Sequence, residues 1–355
     1  MTPHGFGHAA RAAAVAAALS RIVPGLRLEF FTTAPEWFFA DSLDVPFGFH
    51  PLECDLGLVQ RSALEEDPVA TCARLDGMLP FREELLNSLA GKLHSLGCRG
   101  VVCDISPMGL AAARTAGLPS VLVESFTWDW IYAGYQEQAP GLIEYSRMLK
   151  ESFETALLRV QAEPVCVHRP GALQVAPISR RPKVRPAEIR RRLDIEAGEP
   201  MILLSMGGIP WQYKHLETLQ AAHDYVFVVP GGGDRCVRLG NLVLLPHRSG
   251  FHHPDLIHTA DACVAKLGYS TVAEAYAAGA PMAFIPRKRF PESPVLAEFV
   301  VNTMGGFPLS DGDLTVERIR EAAPRLLALP RRPPADHNGA GPAARAIAEA
   351  CGLGR

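Results

Sequence analysis

The sequence predicts an α/β protein of two Rossmann-like domains whose parallel sheets face each other across a cleft. Three observations predict it. Strand-like runs alternate with helical patterns along most of the 355 residues. The strand runs are short and almost wholly apolar, which fits strands buried on both faces, and hence parallel sheets covered by helices. A stretch rich in proline and arginine, "PISRRPKVRP" from Pro177 to Pro186, breaks the alternation and reads as a linker. The length suits two domains, each able to bury its own core.

Taken in order, the first-half strands are Leu26 to Thr32, Gly100 to Asp104, Pro119 to Glu124 and Glu163 to His168. Helical patterns lie between them at Ala9 to Ser20, Pro68 to Leu96 with a break near Pro80, Gly109 to Ala116, and Leu142 to Val160. The second half reads as strands "MILLSM", "YVFVVP", "NLVLLP", "ACVAK" and "MAFIP". Its helices are expected at Leu216 to Ala222, His253 to Thr259, Thr271 to Ala278, Val295 to Asn302 and Val316 to Leu329. The domains therefore run 1–176 and 187–330, joined by 177–186. Residues 331–355 form a loose segment and a last helix, near Ala343 to Ala350, placed to pack back on the first domain.

Composition narrows the function classes. The 35 Lys and Arg against 38 Asp and Glu leave a net charge of −3, which argues against nucleic acid as a partner. The eight cysteines form no C-x-x-C pair, and several sit in apolar runs, as free thiols in a reducing cytoplasm would. The twelve histidines are densest in "FHHPDLIH", without a second ligand cluster, so no metal is expected. No apolar run is long enough for a transmembrane helix; contact with a membrane surface stays open.

The stretch "ACVAKLGYSTVAEAYAAGAP" concentrates the chemistry. Its strand delivers Lys266 to a carboxyl edge, where ligands bind in such sheets. Gly268 allows a tight turn and close backbone approach. Ser270 and Thr271 open the next helix, whose free N–H groups suit an anion. Glu274 lies one turn on, placed to accept from sugar hydroxyls. Residue types alone fit a diphosphate with ribose behind it, and equally a plain strand–turn–helix with a capping serine.

This stretch resembles the donor-binding box of GT-B glycosyltransferases, H-C-G-x-N-S-x-x-E followed by G-x-P. Lys266 falls at the phosphate-binding histidine, Gly268 at the glycine, Ser270 and Thr271 at the Asn-Ser pair, and Glu274 at the ribose-binding glutamate. Gly279 and Pro281 match the downstream pair. The terminal Asp-Gln of the box is replaced by "RKRFPES", leaving Glu292, with Arg287, as the nearest substitute. The opening "PHGFGHAAR" is similar to the acceptor-side glycine loop of the same enzymes: Gly5 and Gly7 form the loop, and His8 would be the general base, oriented by Asp104 at the end of "GVVCD". As isolated residues, His8 reads as a helix-start histidine and Asp104 as a turn aspartate. Trp128 and Asp129 in "ESFTWDWIYAGY" suit a sugar acceptor or ordinary packing. "SMGG", with Gly207 and Gly208, offers backbone N–H groups, and Phe251 a stacking face for a base.

Together, "HGFGHAAR", "SFTWDWIYAGY", "HHPDLIHTAD" and "KLGYSTVAEA" resemble the glycosyltransferase-like N-terminal region of plant L-arabinokinase-type proteins and their stand-alone bacterial relatives. No kinase motif follows. The resemblance implies a metal-independent glycosyltransferase with no cofactor, taking a nucleotide-diphosphate sugar, a UDP-sugar at family level, and a hydroxyl acceptor. A nucleotide-sugar hydrolase or epimerase using the same site, and a non-catalytic nucleotide-sugar-binding protein, are the alternatives. The family places a hydrophobic strand before the glycine loop, where only Met1, Thr2 and Pro3 stand. Its absence is expected to leave two strand edges unpaired, and a start codon upstream of Met1 would supply it.

Overall fold

A computed structural model describes residues 1–62, 64–207, 219–220, 224–309, 315–335 and 337–354. The first domain opens with α1 (Gly5–Ile22), an Ala-rich helix buried along most of its length. Then come β1 (Leu28–Phe31), α2 (Glu36–Ser42), β2 (Phe47–His50), the short β3 (Gln60–Ser62) and β4 (Glu65–Glu66), α3 (Pro68–Leu75) and α4 (Glu83–Ser95). β5 (Val101–Asp104), α5 (Pro107–Thr115), β6 (Ser120–Glu124), α6 (Trp128–Ala133), α7 (Leu142–Phe153), β7 (Leu158–Ala162) and β8 (Leu173–Val175) complete it. Strands β5-β6-β7-β8 form a parallel sheet in that order.

β1 and β2 pair in parallel as a separate two-stranded sheet. Residues Met1 and Thr2 lie between β1 and β5. The Met1 amino group donates to the Phe31 carbonyl at 3.0 Å, and the Thr2 N–H to the Asp104 carbonyl at 3.2 Å. Behind them a cavity of about 610 Å³ is lined by β1, β5, α1 and α4.

One sequence expectation shifts here. The strand expected at Glu163 to His168 lies earlier, at Leu158–Ala162, its first residues Leu158 to Val160 falling in the stretch read as helix. Polar Arg159 and Gln161 masked it. In the sheet both are satisfied by buried Glu124 on β6, Arg159 Nη1 at 2.9 Å and Gln161 Nε2 at 3.1 Å. The helical pattern from Pro68 to Leu96 breaks near Pro80 as expected, into α3 and α4.

The second domain begins with α8 (Pro186–Arg192). It continues through β9 (Met201–Ser205), β10 (Val226–Pro230), β11 (Val237–Leu239), β12 (Leu242–Leu245), α9 (His253–Thr259), β13 (Ala262–Lys266), α10 (Tyr269–Ala278) and β14 (Met282–Ile285). Next are α11 (Ser293–Phe299), a π turn (Val300–Met304) and β15 (Phe307–Pro308), then α12 (Val316–Leu327) and α13 (Ala340–Ala350). Its sheet has the order β11-β12-β10-β9-β13-β14-β15, parallel except at the β11–β12 edge. β9, β13 and β14 are apolar throughout apart from their C-terminal Ser205 and Lys266, because both faces are covered. The helix expected at Leu216 to Ala222 falls mostly outside the described residues. α13 packs on α1, so the chain end ties the second domain back to the first.

Candidate active site

α1 carries His8 and Arg11 three residues apart and therefore on one face. That face meets Asp104, the last residue of β5. His8 Nδ1 lies 2.7 Å from Asp104 Oδ1, and Arg11 donates through Nε to Oδ2 at 2.7 Å and through Nη2 to Oδ1 at 2.8 Å. Arg11 also donates to Ser125 Oγ at 3.0 Å. All three are buried.

Burial alone would raise the Asp104 carboxyl, but Arg11 and His8 outweigh it and hold it at about 2. Asp104 is therefore an acceptor, and the proton between it and His8 sits on Nδ1. Burial pushes His8 below 6.5 although Asp104 pulls the other way. The imidazole is neutral at neutral pH, its Nε2 carries a lone pair, and His8 lines the cleft cavity. This is the arrangement a general base needs. Arg11, which holds the carboxylate, is a functional residue the site assignment from sequence passed over, although it closes the G-x-G-H-x-x-R pattern.

The opposite wall comes from the second domain. Lys266 ends β13, and burial, then Arg287, push its ammonium down to about 8. A Cβ built on Gly207 would lie 3.9 Å from Lys266 Nζ, so the lysine reaches the turn after β9. A Cβ on Gly7 would meet Ser270 Oγ at 3.8 Å, so the first-domain glycine segment and the start of α10 face each other closely. Gly5, Gly7, Gly207, Phe251, Lys266, Gly268, Ser270, Thr271, Glu274 and Glu292 all line one cavity with His8. Gly208 lies outside the described residues.

Several sequence readings change in detail. Gly268 has φ −158°, extended backbone open to any residue, so the turn does not demand glycine. What it provides is space: a Cβ there meets nothing within 4 Å. α10 begins at Tyr269 without a side-chain cap, so of the two readings of Ser270 and Thr271, cap or first turn, they take the first turn. One face of Phe251 is already covered by the Arg192 guanidinium, 4.1 Å from the ring centre. Glu274 is buried and already engaged: Arg180 Nε donates to Oε1 at 3.0 Å, and His253 Nδ1 lies 2.7 Å from Oε2. Against the burial that would raise it, Arg180 and His253 hold this carboxyl at about 2.

Glu292 reaches the cavity from the loop after β14. Phe290 of that loop is buried in the first-domain core, and Arg287 Nε donates at 2.8 Å to Glu66 on β4. Burial pushes Glu292 up to about 7 despite Arg287, Arg11 and Lys266 nearby, and its Oε1 is buried without a hydrogen-bond partner.

Trp128 and Asp129 do not line the cavity. Trp128 is fully buried, donates from Nε1 to Asp55 Oδ2 at 2.6 Å, and stacks on Tyr132, with ring centres 5.8 Å apart. Asp129 is turned toward Arg169, 3.5 Å away. The acceptor role expected for this pair is thus replaced by packing behind His8, whose ring centre lies 6.1 Å from that of Trp128. An indole needs apolar cover and one acceptor, and both are found inside the domain. Among the described residues no group of three or more His, Cys, Asp or Glu is placed to hold a metal ion, and no helix is long and apolar enough to cross a membrane.

Two parallel-sheet domains closing on a shared cleft define the class: the chain has the GT-B fold of glycosyltransferases. It superposes on a UDP-glucosyltransferase from Polygonum tinctorium capable of glucosylating indoxyl with a TM-score of 0.66 at 14% identity, covering 99% of this chain and 97% of that one. The glycotransferase of kitacinnamycin gives 0.61 at 17% identity, covering 97% and 96%. The glycosyltransferase VinC in complex with dTDP gives 0.57 at 15% identity, covering 98% and 92%.

Among curated proteins, the chain is 30% identical over 302 residues to L-arabinokinase of Arabidopsis thaliana. That alignment takes in 83% of this chain but only 28% of the relative. No protein-family model matches the chain.

Proposed function

We propose that the chain is a metal-independent glycosyltransferase that moves a sugar from a nucleotide-diphosphate donor, a UDP-sugar in the first instance, to a hydroxyl acceptor. The observation that carries this reading is the pairing across one cavity of an Asp104-oriented, neutral His8 with Lys266 and the start of α10. The diphosphate lies at Lys266, Gly268, Ser270 and Thr271, and the ribose hydroxyls reach Glu274. Each Glu274 oxygen keeps a lone pair free beyond the bonds from Arg180 and His253.

The acceptor hydroxyl sits at His8 Nε2, which takes its proton as the oxygen attacks the anomeric carbon. The bond from that carbon to the phosphate oxygen breaks, and its electron pair leaves on the diphosphate. Lys266 and the N–H groups of the first turn of α10 meet that charge. Arg11 and Asp104 stay in place and stabilise the imidazolium. Glu292, pushed up to about 7 so that both its acid and its carboxylate are present near neutral pH, donates to or accepts from a donor-sugar hydroxyl. The kinase named in the curated relative finds no counterpart in these steps.

The test is product analysis with UDP-glucose and dTDP-glucose, with and without a panel of hydroxyl acceptors, in chelator. Acceptor-dependent glycoside formation supports the proposal. Free sugar released without acceptor would assign His8 to water, making the protein a hydrolase. Binding without turnover under every acceptor would make it a nucleotide-sugar-binding protein.

A further inference from the structure

Around Lys266 and Arg287, three residues that line the cavity each keep a buried polar atom with no hydrogen-bond partner among the described residues: His4 Nε2, Gln60 Nε2 and Glu292 Oε1. They come from three separate segments. His4 precedes α1, Gln60 opens β3, and Glu292 ends the loop before α11. Their surroundings overlap. Arg287 and Lys266 are charged neighbours of both His4 and Glu292. Gln60 stands directly across from Glu66, which accepts from Arg287 Nε at 2.8 Å. Cross-strand partners share one face of a hairpin, so Gln60 is placed on the Arg287 side.

The chemistry of the three atoms limits what meets them. His4 is neutral, because burial and then Arg287 push it well below 6.5. The Leu58 N–H donates to His4 Nδ1 at 3.5 Å, so the ring proton is on Nε2. The ring is fixed edge-on to Trp128, with centres 5.5 Å apart, and a Cβ on Gly57 would lie 2.9 Å from Nδ1. Gln60 Nε2 is a second donor. Glu292 is 4% exposed and held at about 7, so its Oε1 suits a partner able both to donate and to accept. A hydroxyl answers all three. A methylene answers none, and leaves a buried polar atom unmet.

We infer that His4 and Gln60 join Glu292 as polar contacts of the transferred sugar, and that this sugar keeps its ring hydroxyls rather than being a deoxy sugar. The inference rests on the nucleotide-sugar reading of this cavity. In that reading Lys266 meets the diphosphate, and the sugar bonded to the diphosphate comes to the groups that have Lys266 as a neighbour. Two of the three contacts belong to the first domain and one to the second, so the sugar is held where the domains meet.

The experiment is titration calorimetry on the full chain with UDP, UDP-glucose, UDP-galactose and the monodeoxy forms of these two sugars. At least one parent sugar should bind more tightly than UDP, and loss of a contacted hydroxyl should weaken it by about 10–100-fold. His4→Phe keeps the ring without its N–H, and Gln60→Met keeps the length without the amide; melting curves show that each folds. Each should lower affinity for the parent sugar by about tenfold or more while barely changing that for one deoxy form, so that preference at one position disappears. Deoxy forms bound as tightly as their parents would show the three atoms to be met by water, and would overturn the inference. So would parents bound no more tightly than UDP, or both variants with unaltered preference. In each of these cases UDP still binds, and the donor reading stands. Failure of UDP and both parent sugars to bind would overturn the donor reading, and this inference with it.

Discussion

Arg11 grips both oxygens of Asp104, the same carboxylate that orients His8. The guanidinium keeps Asp104 ionised inside the domain, and an ionised Asp104 fixes the His8 tautomer. One helical turn of α1 thus carries the proposed base and, three residues on, the group that keeps its partner charged.

His8→Ala should lower turnover by about 10²–10⁴-fold, the usual contribution of a positioned base, while nucleotide binding is retained. Initial-rate assays paired with calorimetry check it. Full activity in this variant would remove His8 from the mechanism.

Arg11→Met should act on the fold first. It leaves a buried carboxylate without its main counter-charge, and breaking such a pair costs about 3–5 kcal/mol. Thermal unfolding should show a lowered midpoint. Asp104→Asn removes the charge itself, and its larger effect should be on turnover, through the wrong imidazole tautomer.

The pH profile follows from three buried groups. The unfolded His8 binds a proton near 6.5, and the folded one only at lower pH. Its contribution to stability is complete above 6.5 and is lost as pH falls below it. Asp104 titrates at about 2 rather than 3.8, so its contribution is complete above 3.8 and is lost as pH falls through 2. Glu292 runs the other way. Its folded value of about 7 lies above 4.5, so it destabilises progressively from 4.5 to 7. Glu292→Gln should therefore be more stable than the parent above neutral pH, by about 1–3 kcal/mol, and equal to it at acid pH. Melting curves across pH test the sign, and the acid limb of kcat/KM should fall below 6.5.

Glu274→Ala should weaken UDP binding by about 10–100-fold, as expected for charge-assisted bonds to two ribose hydroxyls. Binding of inorganic pyrophosphate, which has no ribose, should change far less.

Gly268→Ala separates space from backbone conformation. At φ −158° alanine is tolerated, so stability should fall by no more than about 1 kcal/mol, the scale of a helix-cap change. The added methyl enters the open cavity, and nucleotide affinity should drop well beyond that. Unchanged affinity would place the diphosphate elsewhere.

Local chemistry made much of this molecule legible in advance. Apolar runs with buried faces marked β9, β10, β13 and β14, and the order of lysine, glycine, hydroxyls and glutamate marked the edge where a ligand would sit. Polar strands such as β7 escaped notice, because Arg159 and Gln161 look exposed until Glu124 stands beside them. Trp128 misled for the converse reason: its aromatic character suits a sugar or a core equally, and only Asp55, 73 positions earlier, shows which.

By itself, the sequence determined the alternation of elements and the residue types at each strand end, because periodicity and charge are properties of neighbours along the chain. Only the tertiary structure decided that Asp104 meets His8 and Arg11 across more than 90 positions, that Glu274 is shared by Arg180 and His253, and that Glu292 arrives on a loop rooted in the other domain. Those pairings set the protonation states, which follow from distance and burial rather than from order along the chain.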